Sequence, residues 1–254
     1  YGLDKPIGVQ YLTYLGNLVQ GDLGPSFKYK DFTVNDLVSQ ALPVSAKIGS
    51  VAFLLAVTLG VTFGTIAALK QNTLIDYLLM SSAMAGVVIP GFVLAPLLVL
   101  FFSIYLGWFP AGGWQGGGVQ FMVLPVFGMM MYYISAISRI MRGSMIETMN
   151  SNFIRTARAK GLPLRHIILR HALRPAMLPV VSYLGPAFVG IITGSVVIET
   201  IFGLPGIGQL FVNGALNRDY SMVLGLTILV GALTITFNAV VDILYAFIDP
   251  KIRY

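Results

Sequence analysis

Charged residues are scarce in this sequence and cysteine is absent from it. Of 254 residues only 10% are charged, whereas 56% are hydrophobic. A soluble domain carries about a quarter charged residues, so the composition excludes an ordinary water-soluble protein. Because the chain has no cysteine, disulfides and thiolate metal sites are excluded as well.

Sequence motifs of enzymes are also missing. The chain has no phosphate-binding loop of the G-x-x-x-x-G-K-[ST] type, no G-x-S-x-G nucleophile turn and no H-E-x-x-H zinc helix. His166 and His171 lie in a basic segment, and no carboxylate falls between Glu147 and Glu199. We therefore expect neither catalysis, nor a metal site, nor a cofactor bound by this chain itself.

Ionisable groups are rare within the apolar runs. A carrier driven by protons or sodium usually needs such a group near the membrane midplane, and Asp242 is the one candidate. The scarcity favours a protein that receives its energy from a partner. A secondary, ion-coupled transporter remains the alternative.

Apolar runs long enough to cross a bilayer make up most of the chain. A span needs about 20 predominantly apolar residues, and five segments qualify. They are Ile48–Leu69, Leu78–Leu106, Phe121–Ile137, Ala176–Ile198 and Met222–Phe247. Glycine and proline inside them are tolerated where neighbouring helices recover the freed backbone groups. The fold class expected is all-α, a polytopic membrane helical bundle.

The distribution of lysine and arginine predicts the orientation of the spans. If the five spans alternate, eleven basic residues fall on one side and five on the other, and the richer side is cytoplasmic. Residues 1–46 then lie outside as an extracytoplasmic segment with short helices, and 47–254 form the transmembrane domain. Because no hydrophobic segment precedes residues 1–46, we expect a sixth, N-terminal span that is missing here.

Local signals in the outer segment predict where its helices start. Pro6 suits the start of a helix that Gly21 can end. Thr33 and Asp36 have the spacing of a capping box in front of an apolar run.

Arginine is concentrated in one stretch, NFIRTARAKGLPLRHIILRHALRPAMLP, residues 152–179. Asn152 can cap a first helix, Gly161 can end it in a left-handed conformation, and Pro163 can start a second. The second helix would carry a stripe on one face, formed by Leu164, Ile167, Ile168, His171 and Ala172. Two short helices joined in this way favour docking into a groove of a cytoplasmic protein. The alternative is an amphipathic loop that contacts anionic lipid and sets the topology.

The stretch RTARAKGLPLRHIILRHALRP resembles the cytoplasmic coupling loop of binding-protein-dependent ABC importer permeases, in the form found in the peptide and nickel group. YGLDKPIGVQYLTYLGNLVQGDLGPS, VIETIFGLPGIGQLFVNGALNRDYSMV and VDILYAFIDPKIRY resemble the same group in the same order. The similarity covers the whole chain and is strongest to the B-type permeases of oligopeptide importers.

This resemblance identifies a coupling loop within residues 142–175. The general loop pattern has Glu-Ala-Ala before its glycine, whereas this chain has Arg155 and Thr156 in the first two positions and keeps Ala157 and Gly161. The peptide group shares these departures, which leave open any docking salt bridge that would need the glutamate. The residues implied in coupling to the ATPase are Arg155, Thr156, Ala157, Arg158, Ala159, Lys160, Gly161, Leu162, Pro163 and Arg165.

The resemblance also implies a fold, partners and a location. The fold would be a type I ABC importer transmembrane domain in the bacterial cytoplasmic (inner) membrane, surrounded by lipid bilayer. The partners would be a homologous second permease subunit, two ATPase subunits that bind ATP and Mg, and an extracytoplasmic peptide-binding protein, but no nucleic acid. Oligopeptides are the expected substrate, and dipeptides, nickel complexes and glutathione, handled by relatives, remain alternatives.

A second candidate site lies on the predicted outer side, in ETIFGLPGIGQLFVNGALNRDY, residues 199–220. Its Gly-Pro turns interrupt the chain just outside one span, so an outer gate beside the pathway mouth is one interpretation. A surface turn that joins two spans is the other. The candidate gate residues are Phe202, Gly203, Pro205, Gly206 and Phe211.

Overall fold

The computed structural model describes residues 4–193 and 196–248, and these form a helical bundle. Within those ranges the extended structure is limited to an isolated bridge between Pro25 and Thr33. The α-helices are α1 Ile7–Val19, α2 Val34–Leu69, α3 Leu74–Val88, α4 Gly91–Leu98, α5 Val119–Met149, α6 Asn152–Ala159, α7 Leu164–His166, α8 Leu173–Ala176, α9 Leu178–Thr193, α10 Val196–Phe202, α11 Ile207–Leu216 and α12 Tyr220–Ile248. The predicted all-α class is confirmed.

Four stretches of the described chain are long and apolar enough to cross a membrane: α2, α5, α12, and α9 taken together with α10. A fifth span results if α3 and the helix from Gly91 to Tyr105 are counted together, although they meet at 104°. The span predicted over Leu78–Leu106 is therefore present as two helices with a break between them, and not as one straight helix. The chain breaks because Pro90 has no N–H and pushes the preceding Ile89 out of the helical region, to φ −90° and ψ 112°.

Helix α2 starts at Val34, more than three turns before the predicted start at Ile48. Its N-terminus is the predicted capping box: the Thr33 hydroxyl accepts a hydrogen bond from the Asp36 amide, and the Asp36 carboxylate accepts one from the Thr33 amide. The helix runs without interruption through residues 46 and 47, where the outer segment was expected to end and the transmembrane domain to begin.

Small residues allow α2 to lie directly against α5. Ala52, Ala56, Gly60 and Gly64 follow one another at four-residue spacing and are all buried. A Cβ atom on Gly60 would lie 2.8 Å from the Cβ of Ile137, and one on Gly64 would lie 2.5 Å from the Ser138 carbonyl oxygen. These two long helices form the centre on which the remaining elements pack.

Segments assigned to the outer side contact one another in the structure. The Lys47 ammonium donates a hydrogen bond of 3.0 Å to the carbonyl of Gly117, and the amide of Gly113 donates one of 2.7 Å to the carbonyl of Phe202. The predicted outer helix is present as α1, and none of its residues is buried. The basic C-terminal residues Lys251 and Arg253 lie outside the described ranges.

Candidate functional site

The arginine-rich stretch forms two short helical pieces with a glycine between them, as predicted. Helix α6 ends at Ala159, Gly161 has φ +72°, and α7 begins at Leu164 and continues through a π-helical turn into α8. The residue that precedes the first helix is Ser151 rather than Asn152. A Cβ on Gly161 would meet no atom within 4 Å, so the requirement for glycine is one of backbone conformation and not of space.

Apolar side chains attach this stretch to the bundle. Ile154, Ile167 and Ala172 are at most 1% exposed and join a core cluster with Met141 and Met145 of α5. The predicted apolar stripe is thus confirmed at Ile167 and Ala172, but Leu164 is 56% exposed and does not belong to the core. The stretch therefore rests directly on the end of α5.

The opposite face of α6 is cationic and open to solvent. Arg155, Arg158 and Lys160 are exposed, as is Arg165 at the start of α7. Of the other residues assigned to coupling, Thr156, Ala159, Gly161 and Pro163 are exposed, Leu162 is half-buried and Ala157 is buried. All four cationic residues are thus accessible to solvent, and Arg155 and Arg158 lie on α6 together with the half-exposed ring of Phe153.

The two histidines of the stretch face each other, with ring centroids 5.5 Å apart. The π-helical turn between them explains this, because it aligns residues five apart. The described part of the chain contains no group of three or more side chains suited to hold a metal ion.

An ion pair missed in the sequence lies at the same end of the bundle. Arg142 donates to both carboxylate oxygens of Asp76, at 2.7 Å and 2.6 Å, and the amide of Asn72 adds a third hydrogen bond at 2.9 Å. Arg142 had been placed at the start of the coupling loop, but it lies inside α5, which continues to Met149. The pair therefore ties the start of α3 to α5 about two turns before the end of α5. A single Asp in the first turn of a helix gave no sequence signal for this partner.

The predicted gate residues have different environments. Phe202 is 1% exposed and Gly206 is also buried, whereas Gly203, with φ +61°, and Pro205 are exposed, and Phe211 is half-buried. The structure therefore brings Phe202 and Gly206 into a packed outer turn and leaves Gly203 and Pro205 on its surface.

Glu199 organises this turn and was not among the predicted site residues. Its carboxylate is 1% exposed and accepts hydrogen bonds from the Ser45 hydroxyl at 2.6 Å and from the amides of Gly208 at 2.8 Å and Gln209 at 3.3 Å. The Ser45 oxygen in turn accepts from the amide of Ile207 at 2.9 Å. A negative group thus caps the N-terminus of α11, where free amides and the helix dipole favour it.

Glycines give the carboxylate access to that N-terminus. A Cβ on Gly206 would overlap the Glu199 carboxylate and lie 2.5 Å from the Ser45 oxygen, and one on Gly208 would lie 2.6 Å from the Cα of Val196. Close packing around a buried carboxylate thus explains Gly206 and Gly208 of GLPGIG, whereas Gly203, where a Cβ would meet nothing within 4 Å, is explained by its φ of +61°. An acidic residue seven positions before a glycine-rich helix start is the sequence signal that could have identified the site.

Residues 60–254 match the family of the binding-protein-dependent transport system inner membrane component. The oligopeptide transport system permease protein OppB of Haemophilus influenzae is 68% identical, and that of Escherichia coli K12 is 70% identical; each alignment covers all of this chain and 83% of the relative. The dipeptide transport system permease protein DppB of Bacillus subtilis is 41% identical, over all of this chain and 82% of the relative.

Solved structures resemble the fold at low sequence identity. The MetNI methionine ABC transporter, in an inward-facing conformation, superimposes with a TM-score of 0.67 at 15% identity, over 84% of this chain and 96% of that chain. An amino acid ABC transporter gives a TM-score of 0.65, also at 15% identity, over 83% and 94% of the two chains. The chain therefore belongs to the family of binding-protein-dependent transport system inner membrane components and has the transmembrane fold of type I ABC importers.

Proposed function

We propose that this chain is the transmembrane permease subunit of an ATP-driven importer of oligopeptides and forms half of the translocation pathway. The observation that carries the proposal is the 68% and 70% identity, over the full length of the chain, to two oligopeptide permeases. The exposed cationic face of α6 also supports the proposal, because it offers a surface that an ATPase can bind. It lies at the end of the bundle opposite the outer turn.

Three kinds of partner complete the transporter. Two ATPase subunits bind ATP and Mg²⁺ on the cytoplasmic side, and a homologous permease subunit forms the other half of the pathway. An extracytoplasmic binding protein delivers the peptide. Exposed cationic side chains such as Arg155 and Arg158, next to the exposed ring of Phe153, give α6 the mixed apolar and charged surface that inserts into a groove of an ATPase.

Force from the ATPases reaches the membrane through α5. The buried side chains of Ile154 and Ile167 pack on the last turns of α5, so movement of the coupling stretch displaces that helix. The ion pair of Asp76 and Arg142 makes α3 move with it. In its first half, α5 lies close to α10. A Cβ on Gly128 of α5 would lie 3.3 Å from Ile198 Cδ1 of α10. Interfaces of this kind transmit rigid-body rearrangements because they do not deform continuously.

The outer turn then acts as the gate. Glu199 and Ser45 hold the start of α11 against α2 and α10, so α11 moves as one body with these helices. Phe202, buried beside Gly113 of the preceding loop, closes the mouth from the outer side.

The test is reconstitution of the permease with its three kinds of partner in proteoliposomes. We expect import of a labelled tri- or tetrapeptide that requires ATP hydrolysis and the binding protein, together with copurification of an ATPase in detergent. Asp242→Asn should leave this import unchanged, because an ATP-driven permease needs no carboxylate in its last span. Import that proceeds without ATP and is lost in Asp242→Asn would show an ion-coupled carrier instead. If the transporter prefers a dipeptide, nickel or glutathione, the proposed substrate is wrong but the proposed role as an importer permease stands.

A further inference from the structure

The break between α3 and α4 lies within the depth of the membrane. Helix α3 has 15 residues and is therefore about 22 Å long, shorter than the roughly 30 Å hydrocarbon core. It starts beside Arg142 of α5, and near its end a Cβ on Gly86 would overlap the backbone of Met131. Met131 lies about 16 Å along α5 from Arg142, which places the break well inside the bilayer.

Backbone groups at this break lack partners. The carbonyls of the last turn of α3, from Gly86 to Ile89, accept no hydrogen bond from any residue that the structure describes, because Pro90 has no N–H and the chain turns away. Within the same part of the chain, the amides of Gly91 and Phe92 at the start of α4 have no acceptor. Lipid cannot satisfy such groups, and irregular backbone at membrane depth occurs where it faces protein or a water-filled cavity. The break therefore faces protein or a water-filled cavity and not the acyl chains.

A cavity of about 440 Å³ opens beside the break. Its lining is mainly apolar and includes Ile89, Phe92, Met129 and Ile198, with the phenol rings of Tyr132 and Tyr133 as polar groups. Phe92 is 64% exposed and Tyr132 is 51% exposed, so the cavity is accessible from the surface of the subunit. Sites for small ligands have volumes of roughly 300–1,000 Å³ and this kind of composition.

We propose that the break and its cavity form a subsite for the transported peptide. The peptide main chain donates N–H groups to the free carbonyls of α3 and accepts from the free amides of α4, while one apolar side chain of the peptide fills the cavity. An amide group has both the donor and the acceptor that the break needs, whereas an acyl chain has neither. Recognition through the main chain is independent of sequence, which suits a permease for peptides of varied composition.

The negative end of the α3 dipole favours binding of the amino end of the peptide over its carboxyl end. Free carbonyls at a helix C-terminus favour a positive group, so the α-ammonium of a peptide is stabilised there more than its carboxylate. Broken helices in other membrane transporters use their ends in this way. The subsite rests on the proposed function, because it assumes that a peptide passes along this subunit.

A cavity-filling variant tests the side-chain part of the subsite. A Cβ on Gly91 would have Ile198 Cδ1 at 4.0 Å as its nearest neighbour, so Gly91→Leu extends into the cavity without displacing backbone. Gly231→Leu on α12 is the matched control, because a Cβ there would meet nothing within 4 Å. In the reconstituted transporter we expect Gly91→Leu to lower import of triphenylalanine roughly tenfold more than import of trialanine. Gly231→Leu should change neither.

Equal loss for both peptides, or no loss for either, would overturn the subsite while leaving peptide import intact. If the wild-type transporter imports neither peptide, the proposed function itself fails. Normal assembly of the Gly91→Leu complex is checked by copurification of its partner subunits.

Photocrosslinking tests directly whether the peptide occupies the cavity. Phe92→p-benzoylphenylalanine in the complete transporter should form an adduct with a labelled tripeptide during ATP turnover, and excess unlabelled peptide should compete with it. The same replacement at Leu224, an exposed residue of α12, should give no peptide adduct. If the transporter imports the peptide but position 92 yields only phospholipid adducts, the cavity holds an acyl chain and the subsite proposal is wrong.

Discussion

The hydroxyl of Ser45 on α2 donates a hydrogen bond of 2.6 Å to the carboxylate of Glu199 on α10, across 154 positions of sequence. Both side chains are 1% exposed. Because the same two groups receive the first amides of α11, three helices depend on one buried polar cluster. Such clusters are stabilising only when every member has a partner, so their loss is costly.

Removal of the Glu199 carboxylate should release the start of α11. Glu199→Ala leaves the Ser45 hydroxyl and two amides without their acceptor, at a cost of about 1–3 kcal/mol for each unsatisfied buried group. We expect a lower midpoint of thermal unfolding in detergent and a loss of transport. Glu199→Gln retains a carbonyl acceptor and should lose less of both. Equal stability of the alanine and wild-type proteins would show that the cluster is not needed to hold the turn.

For the ion pair of Asp76 and Arg142, we predict that a single substitution destabilises the protein more than substitution of both residues does. Arg142→Met leaves a buried carboxylate unpaired, which typically costs 3–5 kcal/mol; we expect about 3 kcal/mol because the Arg142 side chain is 28% exposed. The double variant Asp76→Leu, Arg142→Met removes both charges and should recover most of the stability. The measurement is the midpoint of thermal unfolding of the single variant, the double variant and the wild type. A double variant as unstable as the single one would mean that Arg142 acts through its packing.

The predicted sidedness is directly accessible because the chain contains no cysteine. Lys28→Cys and Lys160→Cys should be labelled from opposite faces of the membrane by an impermeant maleimide, residue 160 from the cytoplasmic side. Charge asymmetry is the reason for this expectation. Labelling of both positions from the same face would reject the topology and, with it, an ATPase docking at α6.

The attachment of the outer segment to the last span should weaken in acid. Burial raises the pKa of Asp219, but hydrogen bonds from the Ser26 hydroxyl and from the amides of Phe27, Met222 and Lys28 outweigh it, so the pKa lies below the ordinary value of about 3.9. The ionised form is therefore favoured by folding. Its stabilisation is fully present above pH ~4 and is lost as the pH falls through the lowered folded-state value.

Protease cleavage near Lys28 and Lys30 should accordingly be slow at neutral pH in the wild type. It should become fast in Asp219→Asn at any pH, because the amide cannot accept the same set of hydrogen bonds. Asp22→Asn is a control for the loss of a nearby charge. Unchanged cleavage in Asp219→Asn would show that the segment is held by other contacts.

Local patterns in the sequence predicted local structure correctly. The capping box at Thr33 and the left-handed Gly161 each depend on a few neighbouring residues, so their signals lie within one window of sequence. The break at Pro90 was missed because a hydropathy average measures how apolar a window is and not whether its backbone is continuous. In a membrane both a straight and a broken helix satisfy that average.

The sequence did not predict which polar residues far apart in the chain contact each other. Asp76 and Arg142 are 66 positions apart and Ser45 and Glu199 are 154 apart, so their encounter depends on how closely α2, α3, α5 and α10 pack. That closeness is set by the small residues of α2 and by Gly86, whose role appears only once the helices are paired. The assignment of coupling residues stays a prediction that the geometry of α6 supports.

Gly161 gives the sharpest prediction for coupling, because its requirement is purely conformational. Its φ is +72° and a Cβ would meet nothing, so valine adds no clash with a neighbour but places a β-branched residue in the left-handed region. Such strain costs of order 1–3 kcal/mol. Relief of the strain would change the angle between α6 and α7 while the spans, which lie elsewhere, still insert.

We therefore expect Gly161→Val to reach the membrane at normal abundance but to show reduced ATPase binding or ATP hydrolysis uncoupled from transport. Gly161→Asn is the matched control, because asparagine tolerates positive φ and should retain most of the activity. Replacement of Arg158, Lys160 and Arg165 by glutamine separates docking from lipid contact. If Gly161→Val transports at the wild-type rate, and the glutamine variant fails only because its topology is reversed, the stretch sets orientation and does not couple the subunits.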